Sequence, residues 1–309
     1  MKRPRIGVVL GAGAARGWSH IGALEALETH GVPIDVVCGA SSGALVAASY
    51  ATGRLSALKR LASGMTQTRM LRFFDLSLAG GGVIEGRWIV DFMRANIGDV
   101  PIDECAIRFG AVATEYRSGR EVWFTSGSVI DAVRASIALP GLLTPVQIDG
   151  RWLVDGALVD PLPVTLCRSL GADVIIAINT GGDVTTSPPP VVNAHGQDLT
   201  PYSSWLAWMA GAPAGPVRPG YVEVLGDALT TMQNFIARIR LAADPPDILI
   251  NPNLAGVNIM DFHKGAAAIE AGANAVDAAM DKIRAVCGGD GGPAGPDSVD
   301  ALAARQAAQ

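Results

Sequence analysis

The chain is expected to fold as a three-layer α/β/α sandwich around a mainly parallel central sheet. Three observations predict this. Short β-branched runs alternate with Ala- and Leu-rich helical stretches along the chain, the pattern of a sheet covered by helices on both faces. Two of the early runs end in glycine-rich turns that open directly into helices. A third, Asp173 to Asn179, is nearly all Ile, Val and Ala, as a strand buried on both faces requires.

A first strand at 5–10 leads to a helix from about 17 to 30, in which Trp18, Ile21, Leu24 and Leu27 recur every three residues and Gly31 is the stop. A second strand, Ile34 to Cys38, runs into Gly39-Ala40-Ser41-Ser42-Gly43. The next stretch, Ala44 to Tyr50, reads as a helix ended near Gly53. Residues 107–125 read as two strands joined at Ser118-Gly119, and 144–154 as a hairpin turning at Asp149-Gly150. Asp247 to Asn251 supplies a further strand and the Ala-rich stretch 263–286 a closing helix. Two segments break the rhythm. Residues 181–220 are rich in Pro and Gly yet carry Trp205, Leu206, Trp208 and Met209, the composition of an insert, a lid or an interfacial anchor. Residues 287–309 read as a flexible tail. One domain over 1–286 is expected.

Bulk properties exclude several classes. The 309 residues, 49% hydrophobic and 17% charged, leave ample core for an enzyme. The net charge is −5 and no run of Lys or Arg exceeds two residues, so nucleic acid has little electrostatic purchase. The run Ile6 to Leu10 is too short for a signal-peptide core, and no apolar stretch reaches the roughly 20 residues of a membrane span. Cys38, Cys105, Cys167 and Cys287 lie far apart with no CxxC pair. Neither a zinc site nor a disulfide framework is indicated, and a cytoplasmic location fits best.

The strongest local signal is GxSxG at 39–43, on a strand-to-helix junction. A sharp turn there lifts the Ser41 hydroxyl above the sheet, and Gly39 and Gly43 let the chain pass tightly. The helix points its N-terminus at the serine, which favours developing negative charge. Ser42 reads as a helix cap. The second signal is Gly11-Ala12-Gly13-Ala14-Ala15-Arg16-Gly17, again between a strand and a helix. Such a loop presents consecutive amides to an anion. A dinucleotide fingerprint fails because position 16 is Arg16 and no acid ends the second strand; a P-loop fails for want of its Lys-Ser/Thr pair. An oxyanion hole around Gly13 and Ala14 remains. The third signal, Asp155-Gly156-Ala157, comes directly after a strand, where an acid beside a permissive glycine can reach a neighbouring site. Of His20, His30, His195 and His263, none stands where a hydrolase in the order Ser–acid–His would place its base, although His263 is a weak contender. His20 is expected to pack or cap. The scarcity points to a Ser–Asp dyad.

Taken together and in this order, these blocks resemble the patatin-like phospholipase family, in particular its bacterial RssA-type branch. Arg134-Ala135-Ser136-Ile137-Ala138-Leu139-Pro140 is similar to the family's Ala-Ser segment before a proline, which packs near the site. The similarity runs from about 5 to 180 and resumes at Asp244-Pro245-Pro246-Asp247 and Asp261-Phe262-His263. The resemblance implies an α/β/α acyl hydrolase with Ser41 as nucleophile and Asp155 as base. It implies an oxyanion hole from Gly13 and Ala14, with Arg16 fixing the loop and adding charge, and needs no metal or cofactor. The family has three successive glycines where this chain has Ala12-Gly13-Ala14, and alanine resists positive φ.

The expected substrate is a fatty-acyl ester or phospholipid, with peripheral membrane contact. A lining for the acyl chain is expected from Phe73, Phe74, Leu76 and Leu139 to Leu143, which are also ordinary core positions. Rival readings are a thioesterase or acyltransferase using the same acyl-Ser41, a lipid-binding regulatory protein with an idle site, and nucleotide binding by the glycine loop.

Overall fold

The computed structural model describes residues 3–68, 86–96, 98–182 and 221–287. The elements in chain order are β1 (Ile6–Leu10), α1 (Ser19–Thr29), β2 (Val36–Ala40), α2 (Ser42–Ala51), α3 (Leu55–Ser63), α4 (Arg87–Asn96), β3 (Arg108–Glu115), β4 (Glu121–Phe124) and α5 (Val129–Ser136). They continue with β5 (Val146–Ile148), β6 (Arg151–Asp155), α6 (Val164–Ser169), β7 (Val174–Ile178), α7 (Tyr221–Ala243), β8 (Ile248–Ile250) and α8 (Gly265–Cys287). Every strand anticipated from the β-branched runs is present, shifted by at most two residues. The helix expected from 17 begins instead as a 3₁₀ turn, Ala14–Trp18, that passes into α1.

The eight strands form one sheet in the order β5-β6-β3-β2-β1-β7-β8, with β4 also on β3. The run β3-β2-β1-β7-β8 is parallel, and β4, β5 and β6 are antiparallel additions. Alternation along β1 divides the interior. Ile6, Val8 and Leu10 pack with Ile21, Leu24 and Leu27 of α1, with α2 and with α8, while Val9 faces Val36, Cys38, Val112, Leu162 and Leu166 on the side of α6 and α7. Both faces are therefore covered, and the central strands are apolar throughout for that reason. The fold is the α/β/α sandwich expected from the sequence.

Strand register positions the site. β2 pairs with Arg108 to Val112 of β3, while β6 pairs with Ala113 to Glu115. β4 overlaps both stretches, at Ala111 to Thr114, so it occupies the opposite edge and β2 and β6 share one edge. β2 ends at Ala40, opposite Val112; β6 runs the other way and ends at Asp155, opposite Ala113. The last residues of the two strands thus meet head-on, and the residue after Ala40 stands beside Asp155.

Candidate active site

That residue is Ser41, whose backbone has φ 54° and ψ −124°. This region is hostile to a residue with a Cβ and costs on the order of 1–3 kcal/mol. Two close approaches frame the turn and the acid beside it. A Cβ on Gly43 would collide with the carbonyls of Leu10 and Gly11, and one on Gly156 with the carbonyl of Val112. Only bare backbone lets α2 start against the end of β1 and lets the chain leave β6 against β3. Gly39 sits within β2 beside Leu10 and Ala111. The Ser41 amide donates to Ser136 Oγ at 2.9 Å, holding the turn from the side of α5. Ser136 belongs to the Ala-Ser segment, but its bond to the Ser41 backbone is not legible in one dimension.

The Ser41 hydroxyl donates to Asp155 Oδ2 at 2.6 Å, and Asp155 Oδ1 accepts from the Ala157 amide at 2.8 Å. Asp155 is wholly buried. Burial pushes its carboxyl up to about 7, against the hydrogen bonds from Ser41 and Ala157, which pull it down. The backbone that carries the carboxyl is fixed as well, because the Asp155 amide donates to the Ala138 carbonyl at 3.0 Å and Thr114 Oγ1 donates to the Asp155 carbonyl at 2.8 Å.

The glycine loop lies across the cleft. Its amides divide sharply. Gly11 donates to the Ile178 carbonyl, Ala12 to Pro161, Ala15 to Ile259 and Arg16 to Gly13, all at 2.9–3.0 Å. Among the described residues the amides of Gly13 and Ala14 have no acceptor. Both residues line the same cleft as Ser41. Two adjacent amides without acceptors, beside a serine hydroxyl, are what a developing oxyanion requires. Ala14 adopts φ 48°, so the alanine that replaces the family's glycine is held in the left-handed region after all.

The loop is braced from three directions. Arg16 Nε donates to the Val257 carbonyl at 2.8 Å, Thr180 Oγ1 donates to the Ala12 carbonyl at 2.5 Å, and His20 Nε2 lies 2.7 Å from the Gly11 carbonyl. His20 is fully buried; burial pulls its pKa down to about 4 although the Gly11 contact pulls it up. The ring is neutral at pH 7 and its Nε2–H is the donor. His20 packs, as expected. Ser42 departs from expectation: it is the first residue of α2, and its buried hydroxyl, pressed against Gly17, caps nothing and has no partner among the described residues. The cap position falls to Ser41, one residue earlier.

The opposite wall of the cleft comes from α7, through Gly226, Leu229, Thr230, Gln233, Asn234 and Ala237. Leu139 also lines it, while Leu143 packs on the main core. Phe73, Phe74 and Leu76, and Trp205, Leu206, Trp208 and Met209, lie outside the described residues. No group of His, Cys, Asp and Glu among the described residues is arranged to hold a metal ion.

A family model described as patatin-like phospholipase matches residues 8–168, which includes the glycine loop, the serine turn and Asp155. The chain belongs to the patatin-like phospholipase family. Membership makes it a lipid ester hydrolase. It is 31% identical to an uncharacterized NTE family protein of Mycobacterium tuberculosis, over 87% of this chain and 89% of that one. It is also 31% identical to lysophospholipase NTE1 of Yarrowia lipolytica, over 84% of this chain, and 35% identical to lysophospholipase nte1 of Neurospora crassa, over 84%. The chain spans under a fifth of either fungal protein, 18% and 17%.

Proposed function

We propose that this protein hydrolyses fatty-acyl esters of phospholipid or lysophospholipid through an acyl-Ser41 intermediate, with Asp155 as the only side-chain base. The observation that carries this reading is the 2.6 Å hydrogen bond from Ser41 Oγ to a carboxylate buried to the point that its pKa rises to about 7. A carboxylate near its ordinary value is a feeble base for a hydroxyl; one raised toward neutrality is ionised at working pH yet basic enough to accept the proton. The lysophospholipase names of the fungal relatives support the substrate class. The narrower placing in the RssA-type branch, and a single domain over 1–286, belong to the same reading.

In the acylation step Ser41 Oγ attacks the ester carbonyl carbon and its proton passes to Asp155. The amides of Gly13 and Ala14 take the oxyanion, each good donor lowering the barrier by on the order of 3 kcal/mol. Collapse of the tetrahedral intermediate breaks the ester C–O bond, and the departing alcohol or lysolipid takes the proton from Asp155. Water then attacks the acyl-Ser41 carbonyl with Asp155 again as base, releasing the fatty acid. Arg16 and His20 act through the loop, keeping the two amides aimed. A thioester substrate, or an alcohol in place of water as acceptor, would use the same acyl-Ser41.

The test is labelling with a fluorophosphonate probe. Ser41→Ala should abolish it and Asp155→Asn slow it by orders of magnitude; undiminished labelling of Ser41→Ala rejects the assignment.

A further inference from the structure

Helix α7 presents two distinct faces, and the cleft accounts for one. At 100° per residue, Gly226, Leu229, Thr230, Gln233, Asn234 and Ala237 cluster on the face toward Ser41. Val224, Met232, Phe235 and Ile239 fall within about 80° of one another on roughly the opposite face. These four are 51%, 59%, 66% and 56% exposed. Ala228 lies among them, so the outer stripe is apolar along the helix. A stripe of large side chains left in water marks an interaction surface.

The surface extends past the helix. Arg240, in the last turn of α7, pairs with Glu121 of β4 at 2.5 Å, so Glu121 points to the α7 side of the sheet. Trp123 lies two residues on, opposite Val112, whose side chain is in the core on that side. In β6, Leu153 packs toward the other face with Ala135, which leaves Trp152 on the α7 side. The Tyr116 amide donates to the Trp152 carbonyl at 2.8 Å. Tyr116, Trp123 and Trp152 are 61%, 40% and 49% exposed. Around them, at the tips of the β3–β4 and β5–β6 hairpins, stand Arg117, Arg120 and Arg151, all exposed. None of these three arginines has an ion-pair partner among the described residues. The acids of the same tips are Glu115, which accepts from Ser118, and Asp149, with Glu121 held by Arg240, so the rim keeps a small excess of positive charge where the whole chain is −5.

We propose that the outer face of α7 and this aromatic-arginine rim form a docking surface for an anionic lipid bilayer. The inference rests on the lipid-ester reading above and adds where the lipid phase meets the protein. Each part has its physical counterpart. An apolar helical stripe sinks below the headgroups, Trp and Tyr settle at headgroup depth, and arginines meet phosphates. No described helix is long and apolar enough to cross a membrane, so the helix lies on the surface. Because its inner face is a wall of the cleft, an ester leaving the bilayer passes one helix diameter to reach Ser41.

The experiment is co-sedimentation of the full chain, carrying Ser41→Ala so that lipid is not consumed, with vesicles of equal parts phosphatidylcholine and phosphatidylglycerol. Parallel assays measure hydrolysis of a short water-soluble ester by chains that retain Ser41. Substituting Met232→Ser, Phe235→Ser and Ile239→Ser together should weaken vesicle partitioning by about tenfold or more. Arg117→Ala, Arg120→Ala and Arg151→Ala together should weaken it on these vesicles but not on pure phosphatidylcholine, and salt should reproduce the effect. Neither set should alter hydrolysis of the soluble ester. Partitioning unaffected by both sets overturns the proposal. So does a parent chain that ignores vesicles, and so does a dimer by light scattering that the serine set dissociates, which assigns the face to a second copy. Vesicle binding without soluble-ester hydrolysis by the parent would uphold the docking surface and reject the catalytic reading instead.

Discussion

Replacing Asp155 by its isosteric amide, Asp155→Asn, should inactivate the protein and, above pH 7, stabilise it. The amide keeps an oxygen for the Ala157 N–H and turns its nitrogen toward Ser41, so packing is retained and the change is electrostatic. In the parent, burial raises the carboxyl from 3.8 to about 7. Between those values the unfolded chain has lost the proton and the folded one still holds it. A raised acid therefore contributes its full stability below pH 3.8, loses it progressively as pH rises, and has lost it all above about 7. The slope is about 1.4 kcal/mol per pH unit, which across the window amounts to about 4 kcal/mol. The variant has no such proton. Asp160, also raised to about 7 by burial, behaves identically in both proteins and cancels in their difference. Urea unfolding of parent and variant between pH 5 and 8.5 should show the variant gaining on the parent by about 1.4 kcal/mol per pH unit up to pH 7 and holding level beyond. A difference independent of pH would refute the buried-carboxylate reasoning, whatever the variant's activity.

The same carboxyl sets the acid limb of activity. kcat/KM on a soluble acyl ester should fall about tenfold per pH unit below about 7, because only ionised Asp155 accepts the Ser41 proton. Gly43→Ala drives a Cβ into the carbonyls of Leu10 and Gly11; a loss of about 3 kcal/mol or more, or no soluble protein, is expected in thermal melts. Ala14→Gly, which relieves φ 48°, should raise stability by about 1 kcal/mol with activity kept, and a clear loss of stability would contradict the backbone assignment. Arg16→Ala frees the loop from the Val257 carbonyl and should lower kcat by about tenfold or more while moving the melting temperature little, since the two amides survive but lose their aim.

Much of this molecule is legible in one dimension because its physics is local. Strand periodicity, the hairpin turn at Asp149-Gly150, where φ is 49° and then 75°, and the glycines of the serine turn all act over a few residues, and each lies within two positions of where the sequence puts it. Two helices that matter to the site, α5 and α7, are not anticipated. α7 comes after a segment whose Gly, Pro and aromatic content masks periodicity, and it becomes meaningful only once its inner face is seen against the cleft. The cap reading of Ser42 fails for a similar reason: composition cannot tell which of two adjacent serines turns its backbone out of the helix.

The sequence by itself determined the α/β/α class, the position of the serine on its turn, and the shortage of histidine that makes an acid the candidate base. Only the tertiary structure decided that Asp155, 114 residues away, ends its strand where β2 ends. It alone decided that, among the described residues, of six successive amides only Gly13 and Ala14 lack acceptors, and that a carboxyl of ordinary chemistry is raised to about 7. Those outcomes depend on strand register and on exclusion of water by residues distant along the chain, and neither is a property of any local stretch of sequence.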